Sequence, residues 1–256
     1  MSSGPERISS RKNGYIVHLR RLAAEAGYRR ETGETVLDGE KLLREALSCG
    51  CELTGLLMDE SRPLDGMPAD VRRFAAPAEL VSYASPVKNS PGPVFSLRLP
   101  QPPLPERVDS CIALEDVQDP GNVGTVIRTA NALGIELVAL VGDCADRSSP
   151  RCVRATMGAA FRQRVVETGP EGLAQLCSRL GLRLIGTALT ETAVDIRSAE
   201  LDRAALVIGN EGHGLSARLL ELCEETVIIP MVPGSESLNA AVAGAIAMWE
   251  TIRRRS

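Results

Sequence analysis

The sequence predicts an α/β protein of two domains, a small one over residues 1–103 and a larger, doubly wound one over 104–256. Three observations predict it. Seven of the sixteen prolines fall between Pro86 and Pro105, with Lys88, Asn89, Ser90 and Gly92 among them, the composition of a stiff connecting segment. Beyond that segment, short apolar runs alternate with helical patterns, the signature of a mostly parallel sheet covered by helices on both faces. At 256 residues and 44% apolar composition, the chain is long and apolar enough to bury two cores.

In the first domain the spacing predicts a helix over 12–26, a short strand at 36–37 and a helix over 40–49. In the latter, Leu42, Leu43, Ala46 and Leu47 recur at helical intervals, and Gly50 stands where a left-handed cap belongs. A strand over 53–58, another near 71–74 and a helix over 77–83 follow. The alternating residues 94–99 suit an edge strand of this unit. In the second domain a strand over 111–114 leads through Asp119-Pro120-Gly121 into a helix. Its apolar face is Val123, Val126, Ile127 and Ala130, and it stops at Gly134. Strands over 135–141, 182–188, 204–208 and 226–229 alternate with further helices, one of them carrying Leu173, Leu176, Cys177 and Leu180 and ending at Gly181. Ligands of such sheets sit at the carboxyl ends of the strands.

Composition narrows the function. No run of about 18 apolar residues exists that would cross a bilayer as a helix, and the first thirty residues lack the apolar core of a secretory signal. A cytoplasmic protein is expected, with an Arg-rich mitochondrial presequence as the less favoured alternative. The seven cysteines include no C-x-x-C pair, and His18 and His213 are the only histidines, so neither a zinc ribbon nor a histidine-rich metal centre is expected. The net charge of −4 is awkward for a nucleic-acid partner. Residues 1–30, however, hold Arg7, Arg11, Lys12, Arg20, Arg21, Arg29 and Arg30 against only Glu6 and Glu25, and a second cluster runs Arg147, Arg151, Arg154, Arg162 and Arg164.

Three loops concentrate glycine and polar residues. The first runs from Glu115 to Gly124, and Arg128 follows on the flank of the helix, where a guanidinium can reach a ligand instead of packing. The second is Gly209-Asn210-Glu211-Gly212-His213-Gly214-Leu215-Ser216, whose glycines let a ligand approach the backbone. Leu215 occupies the place where a P-loop needs lysine, and no G-x-G-x-x-G occurs, which argues against nucleotide hydrolysis and against a dinucleotide enzyme. The third runs Ile229-Pro230-Met231-Val232-Pro233-Gly234-Ser235-Glu236-Ser237-Leu238-Asn239. It opens a helix rich in Ala240, Ala241, Ala243, Gly244, Ala245 and Ala247, with Leu238, Val242, Ile246 and Trp249 as its expected buried stripe. Each loop alone is equally an N-capped helix or a tight turn.

Together the three loops resemble the three motifs of the SpoU, or TrmH, family of RNA ribose 2′-O-methyltransferases. The matching residues are Asn122-x-Gly124-x-x-x-Arg128, then Gly209-Asn210-Glu211-Gly212-x-Gly214-Leu215, then Pro230-Met231 with Glu236-Ser237-Leu238-Asn239. The stretch Arg154-Ala155-Thr156-Met157-Gly158-Ala159 looks like a further family segment, and residues 36–43 are similar to the substrate-binding domain that many members carry. The resemblance implies an α/β trefoil-knot catalytic domain, a rare exception to unknotted topology, preceded by a small α/β ribosomal-protein-like RNA-binding domain. It also implies S-adenosylmethionine as cofactor, a homodimer through the knotted domain, and RNA as substrate, with large-subunit (23S) rRNA favoured over tRNA. It places Arg128, Asn122, Glu211, Ser237 and Asn239 at the chemistry. The cofactor would lie among Thr187, Ala188 and Leu189, Ile208, Gly209, Asn210 and Gly212, Ile229 and Met231, and Ser237 and Leu238. One departure stands out: Ala240-Ala241 follows Asn239 where members often carry Val-Ser, so no hydroxyl is available at 241.

A guanidinium does not give up its proton in a protein, so the role implied for Arg128 is to position the ribose hydroxyl and stabilise a developing alkoxide. Glu211 is open to two readings, one in the chemistry and one as a brace between loops. An alternative of another class is a cofactor- or RNA-binding assembly factor without catalysis; an alternative with the same chemistry is a tRNA 2′-O-methyltransferase. With only 3% aromatic residues, RNA recognition is expected to rest on shape and backbone contacts more than on base stacking.

Overall fold

The computed structural model describes residues 4–68, 70–232, 234 and 237–253. In chain order the first elements are β1 (Glu6–Arg7), α1 (Gly14–Ala24), α2 (Ala26–Thr32), β2 (Glu34–Asp38), α3 (Glu40–Ser48), β3 (Glu52–Asp59), β4 (Arg73–Ala76), α4 (Ala78–Ala84) and β5 (Val94–Arg98). Then come β6 (Ser110–Glu115), α5 (Pro120–Leu133), β7 (Leu137–Val141), α6 (Pro150–Ala155), β8 (Arg164–Thr168), α7 (Pro170–Leu180) and β9 (Arg183–Thr187). The last are β10 (Val194–Asp195), β11 (Ala204–Ile208), α8 (Ala217–Leu222), β12 (Glu225–Ile228) and α9 (Ala240–Ile252). The chain forms two compact units, one of residues 1–100 with 146–161 and one of 101–145 with 162–256.

The first unit carries a five-stranded mixed sheet in the order β1-β4-β3-β5-β2. The stretch expected as one helix over 12–26 is two. Asn13 caps the first by accepting from the Tyr15 amide, Glu25 turns to extended backbone, and the second ends at Gly33 with φ +69°. Residues 94–98 form an interior strand instead of the expected edge, pairing antiparallel with both β3 and β2. The reason is burial: Val94, Phe95 and Leu97 are all fully enclosed, and an edge strand has no means of covering both of its faces and both of its sides.

The segment 146–161, which the boundary near 103 assigns to the second domain, packs in the first unit. Val153, Ala160 and Phe161 join Leu37, Leu43 and Phe95 in one core. Buried Arg29 pairs with Asp146 at 2.7 Å, Thr35 Oγ1 donates to the Ser148 carbonyl at 2.6 Å, and Arg154 pairs with Asp38. The segment's sequence is legible as a Ser149-capped, Pro150-led helix, but nothing in its pattern says which core it serves.

The second unit is an all-parallel seven-stranded sheet in the order β10-β12-β9-β11-β6-β7-β8. Helix α5 starts as read, with Asp119 accepting from the Asn122 amide and Pro120 in the first turn, and it stops at left-handed Gly134. Helix α7 likewise stops at Gly181. Strands β8 and β10 escape the sequence reading because both are sheet edges with half-exposed residues and no apolar run. Strand β11 is buried throughout and lies between β9 and β6, parallel to both.

Helix α9 corrects one expectation. Its buried residues are the small ones, Ala240, Ala241, Gly244 and Ala247, with Met248 and Thr251, while Val242 and Trp249 are 48% and 54% exposed and Leu238 and Ile246 are only partly covered. A Cβ on Gly244 would lie 3.2 Å from Val126 Cγ2, so α9 and α5 approach through the face that carries no bulk.

Candidate active site

Because the second sheet is parallel, the carboxyl ends of β6, β9, β11 and β12 share one edge, and the loops leaving them meet there. The loops after β9, β11 and β12 enclose a cleft of about 470 Å³, a size suited to a small-molecule ligand. Gly209 and Gly214 touch so closely that a Cβ at 209 would lie 2.3 Å from the Gly214 carbonyl carbon. Only glycine allows this crossing. Two backbone hydrogen bonds between Asn210 and Gly214, at 3.1 and 2.9 Å, close the loop. The Asn210 side chain accepts from the Gly212 amide at 2.7 Å and donates to the Asp116 carbonyl at 2.8 Å, tying this loop to the one after β6.

Behind the cleft, Glu115 is buried at the end of β6. Its carboxylate accepts from the Ser216 amide at 2.8 Å and from the Ser216 hydroxyl at 2.6 Å, while that hydroxyl accepts from the Leu219 amide and caps α8. On β9, Thr187 Oγ1 donates to the Val207 carbonyl at 2.7 Å. A Cβ on Gly186 would meet Leu215 at 2.9 Å and the Cys223 sulfur at 3.1 Å, so α8 lies close on this strand. Burial, and secondarily the Glu115 charge, push the Cys223 thiol up to about 11, leaving it protonated and inert.

A row of side chains joins three loops. Asn239 Oδ1 caps α9, accepting from the amides of Ala241 and Val242 at 3.0 and 3.3 Å. Its Nδ2 donates to Asn122 Oδ1 at 3.1 Å, and Asn122 Nδ2 donates to Glu211 Oε1 at 2.6 Å. The cap decides every orientation in the row. With Asn239 Oδ1 committed to the helix, only Nδ2 can face Asn122, and the Asn122 donor is left to Glu211.

The structure places the sequence-predicted residues as follows. Thr187, Ala188 and Leu189 line one wall of the cleft, Ile208, Gly209, Asn210, Glu211 and Gly212 another, and Ile229, Met231, Ser237 and Leu238 a third. Asn122 and Asn239 stand beside it, connected through Glu211. Arg128 is not among the lining residues. It is exposed on α5 and makes no hydrogen bond or ion pair with any described residue. Pro233, Ser235 and Glu236 lie outside the described residues. Leu220 and Val227 also line the cleft and were not singled out, since each reads as an ordinary core residue. Among the described residues no group of three or more His, Cys, Asp or Glu could hold a metal ion. With apolar walls and open glycine backbone, the cleft suits a ligand that is part apolar and part hydrogen-bonding.

The comparisons with known proteins concern this same region. The sequence profile described as the SpoU rRNA Methylase family matches residues 109–249, more than half of the chain. An uncharacterised tRNA/rRNA methyltransferase of Synechocystis is 34% identical, the alignment covering 97% of this chain and 94% of the relative. The 23S rRNA (guanosine(2553)-2′-O)-methyltransferase RlmP of Bacillus subtilis is 29% identical over 95% of this chain and 98% of its own length. The crystal structure of the AdoMet-bound rRNA methyltransferase from Sinorhizobium meliloti superposes with a TM-score of 0.86 at 27% identity, covering 97% of this chain and 98% of that one. The three glycine-rich and polar loops, the parallel sheet that gathers them and these whole-length likenesses converge: this chain belongs to the SpoU rRNA methylase family.

Proposed function

We propose that this protein methylates a ribose 2′-hydroxyl in large-subunit (23S) rRNA with S-adenosylmethionine as donor. The observation that carries the reading is the single cleft in which the loops after β9, β11 and β12 bring together the residues singled out for the cofactor. The cofactor fits the cleft on two grounds: the Gly209–Gly214 crossing leaves backbone open where any side chain would intrude, and Ile208, Leu215 and Val227 supply an apolar wall. When bound, S-adenosylmethionine supplies a methyl group carried on a positively charged sulfur. The full-length relatives support the substrate, RlmP being named for 23S rRNA.

In this reading residues 187–189, 208–212, 229–231 and 237–238 hold the cofactor, Ser237 at its polar rim. The exposed, unpaired Arg128 guanidinium orients the ribose hydroxyl and stabilises its developing negative charge, and the proton leaves to a phosphate or to water. Glu211 serves as the brace that fixes Asn122 and Asn239. Residues 104–256, apart from the segment 146–161 that packs in the first unit, form the catalytic domain, folded as a trefoil knot. Residues 1–103 form the ribosomal-protein-like RNA-binding domain. The exposed Val242 and Trp249 on α9 support a homodimer through the second unit. Seven free cysteines support a reducing, cytoplasmic setting.

The test is incubation with tritiated S-adenosylmethionine and separate pools of unmodified rRNA and tRNA, followed by primer extension at low nucleotide concentration. Label at a 2′-O position in 23S rRNA is the expected result. Label only in tRNA keeps the chemistry and replaces the substrate. Cofactor binding with no transfer to rRNA, tRNA or ribosomal particles overturns the catalytic reading.

A further inference from the structure

Several arginines of the first unit are paired with carboxylates. Arg7 pairs with Glu60, Arg21 with Glu25 and Arg44 with Glu40. Arg11, Lys12 and Arg20 differ: all three are exposed, and no carboxylate among the described residues pairs with any of them. Two of the three share a single platform. The guanidinium carbons of Arg11 and Arg20 lie 4.4 and 5.2 Å from the ring centroid of Tyr83, and Arg20 Nη1 also donates to the Tyr83 carbonyl at 3.4 Å. Tyr83 belongs to α4, whose Leu80, Val81 and Ala84 pack in one core with Ile16, Leu19 and Leu22 of α1. The ring is therefore held by the fold and is 37% exposed. Glu79, one turn earlier on α4, pairs with none of the three cations.

An arginine held on an aromatic face is in a different state from one held by a carboxylate. It is partly immobilised, yet it keeps its full charge and leaves most of its N–H donors free for an oxygen acceptor. In a chain of net charge −4, two such arginines with an unpaired lysine beside them make a local site for a dense anion. We infer that this face, Arg11, Lys12 and Arg20 around Tyr83, grips backbone phosphates of the RNA substrate. The ring serves as the platform that holds the arginines, not as a stacking partner for a base. The inference rests on the RNA reading above and adds the surface that does the holding.

The test uses the full chain and transcribed 23S rRNA in filter-binding titrations over a series of salt concentrations. An Arg11→Gln/Arg20→Gln double variant is expected to bind about 10-fold more weakly at moderate salt and to lose about 1.5–2 from the slope of log affinity against log salt, one phosphate per arginine. Tyr83→Leu, which keeps an apolar side chain but removes the π face, weakens binding in the same direction. Tyr83→Phe, which keeps the ring, restores it. S-adenosylmethionine affinity stays unchanged in all of them. A double variant with wild-type affinity and slope overturns the inference. So does one that binds RNA normally but loses self-association in sedimentation, which would make the face a protein contact. Arginine-dependent rRNA binding without methyl transfer by the wild type would sink the catalytic reading and leave this face standing.

Discussion

At the scale of single residues, the cleft depends on positions that tolerate no addition and on one carboxylate that tolerates no removal. In Gly209→Ala the new methyl group has to displace the backbone of Gly214. Calorimetric titration should show S-adenosylmethionine affinity down by about 10-fold or more, because the loop that forms one cleft wall has no other way to close. Glu115→Ala strips the Ser216 amide and hydroxyl of their acceptor. Thermal melts should report a loss of about 1–3 kcal/mol, the usual cost of orphaned buried donors. Arg128→Ala should leave fold and cofactor affinity alone and lower turnover by about 100-fold, the scale of one electrostatic stabiliser; near-normal turnover would remove Arg128 from the chemistry. Gly209 and Arg128 were visible in the sequence because their loops are dense in glycine and polar side chains. Glu115 was not marked out as a brace, since it stands at the end of an apolar strand and its partner Ser216 is a hundred residues away.

At the scale of elements, α9 shows why composition misled. A helix with Val242, Ile246 and Trp249 on one stripe looks as if it should bury that stripe, but α5 offers a close, flat approach that only the Ala/Gly face can accept. Gly244→Val should push the two helices apart and cost about 1–3 kcal/mol of stability in denaturant unfolding, as overpacking does. Trp249→Ala, on the open face, should change monomer stability by less than about 0.5 kcal/mol while shifting sedimentation toward a smaller species if that face joins two copies. The helix limits of α3 and α5 and the end of α7 were readable to within a residue or two, because caps and left-handed glycines are local chemistry.

At the scale of the whole molecule, the segment 146–161 is held in the first unit by a pair that titrates. Burial alone would raise the Asp146 carboxyl, but hydrogen bonds from Ser148 and Arg29 outweigh it and hold the group below the ordinary carboxylate range. A carboxylate depressed in the folded state contributes stability above its unfolded value of about 3.9, and that contribution is lost as pH falls through the lower folded value. Asp146→Asn should therefore cost on the order of 2–3 kcal/mol at neutral pH, allowing for the partial exposure of Asp146. The difference from wild type should close on acidification below about pH 4. Urea titrations at neutral and acidic pH measure both; a gap that persists unchanged in acid would mean the pair is not the cause.

What could be read from residues alone was whatever is encoded within one turn or one loop: the α/β class, the strand–helix alternation, the helix caps, and the three loops with their family resemblance. Each follows from neighbours along the chain. Tertiary structure decided the rest: that residues 94–98 are interior, that 146–161 crosses back to the first unit, that α9 buries its small face, and that Asn239, Asn122 and Glu211 form one oriented row. These depend on which surfaces meet, and the meeting residues are separated by 89 positions between Asn122 and Glu211 and 117 between Asn122 and Asn239. Hydrogen-bond direction and close packing are properties of the pair, and no spacing within either partner records them.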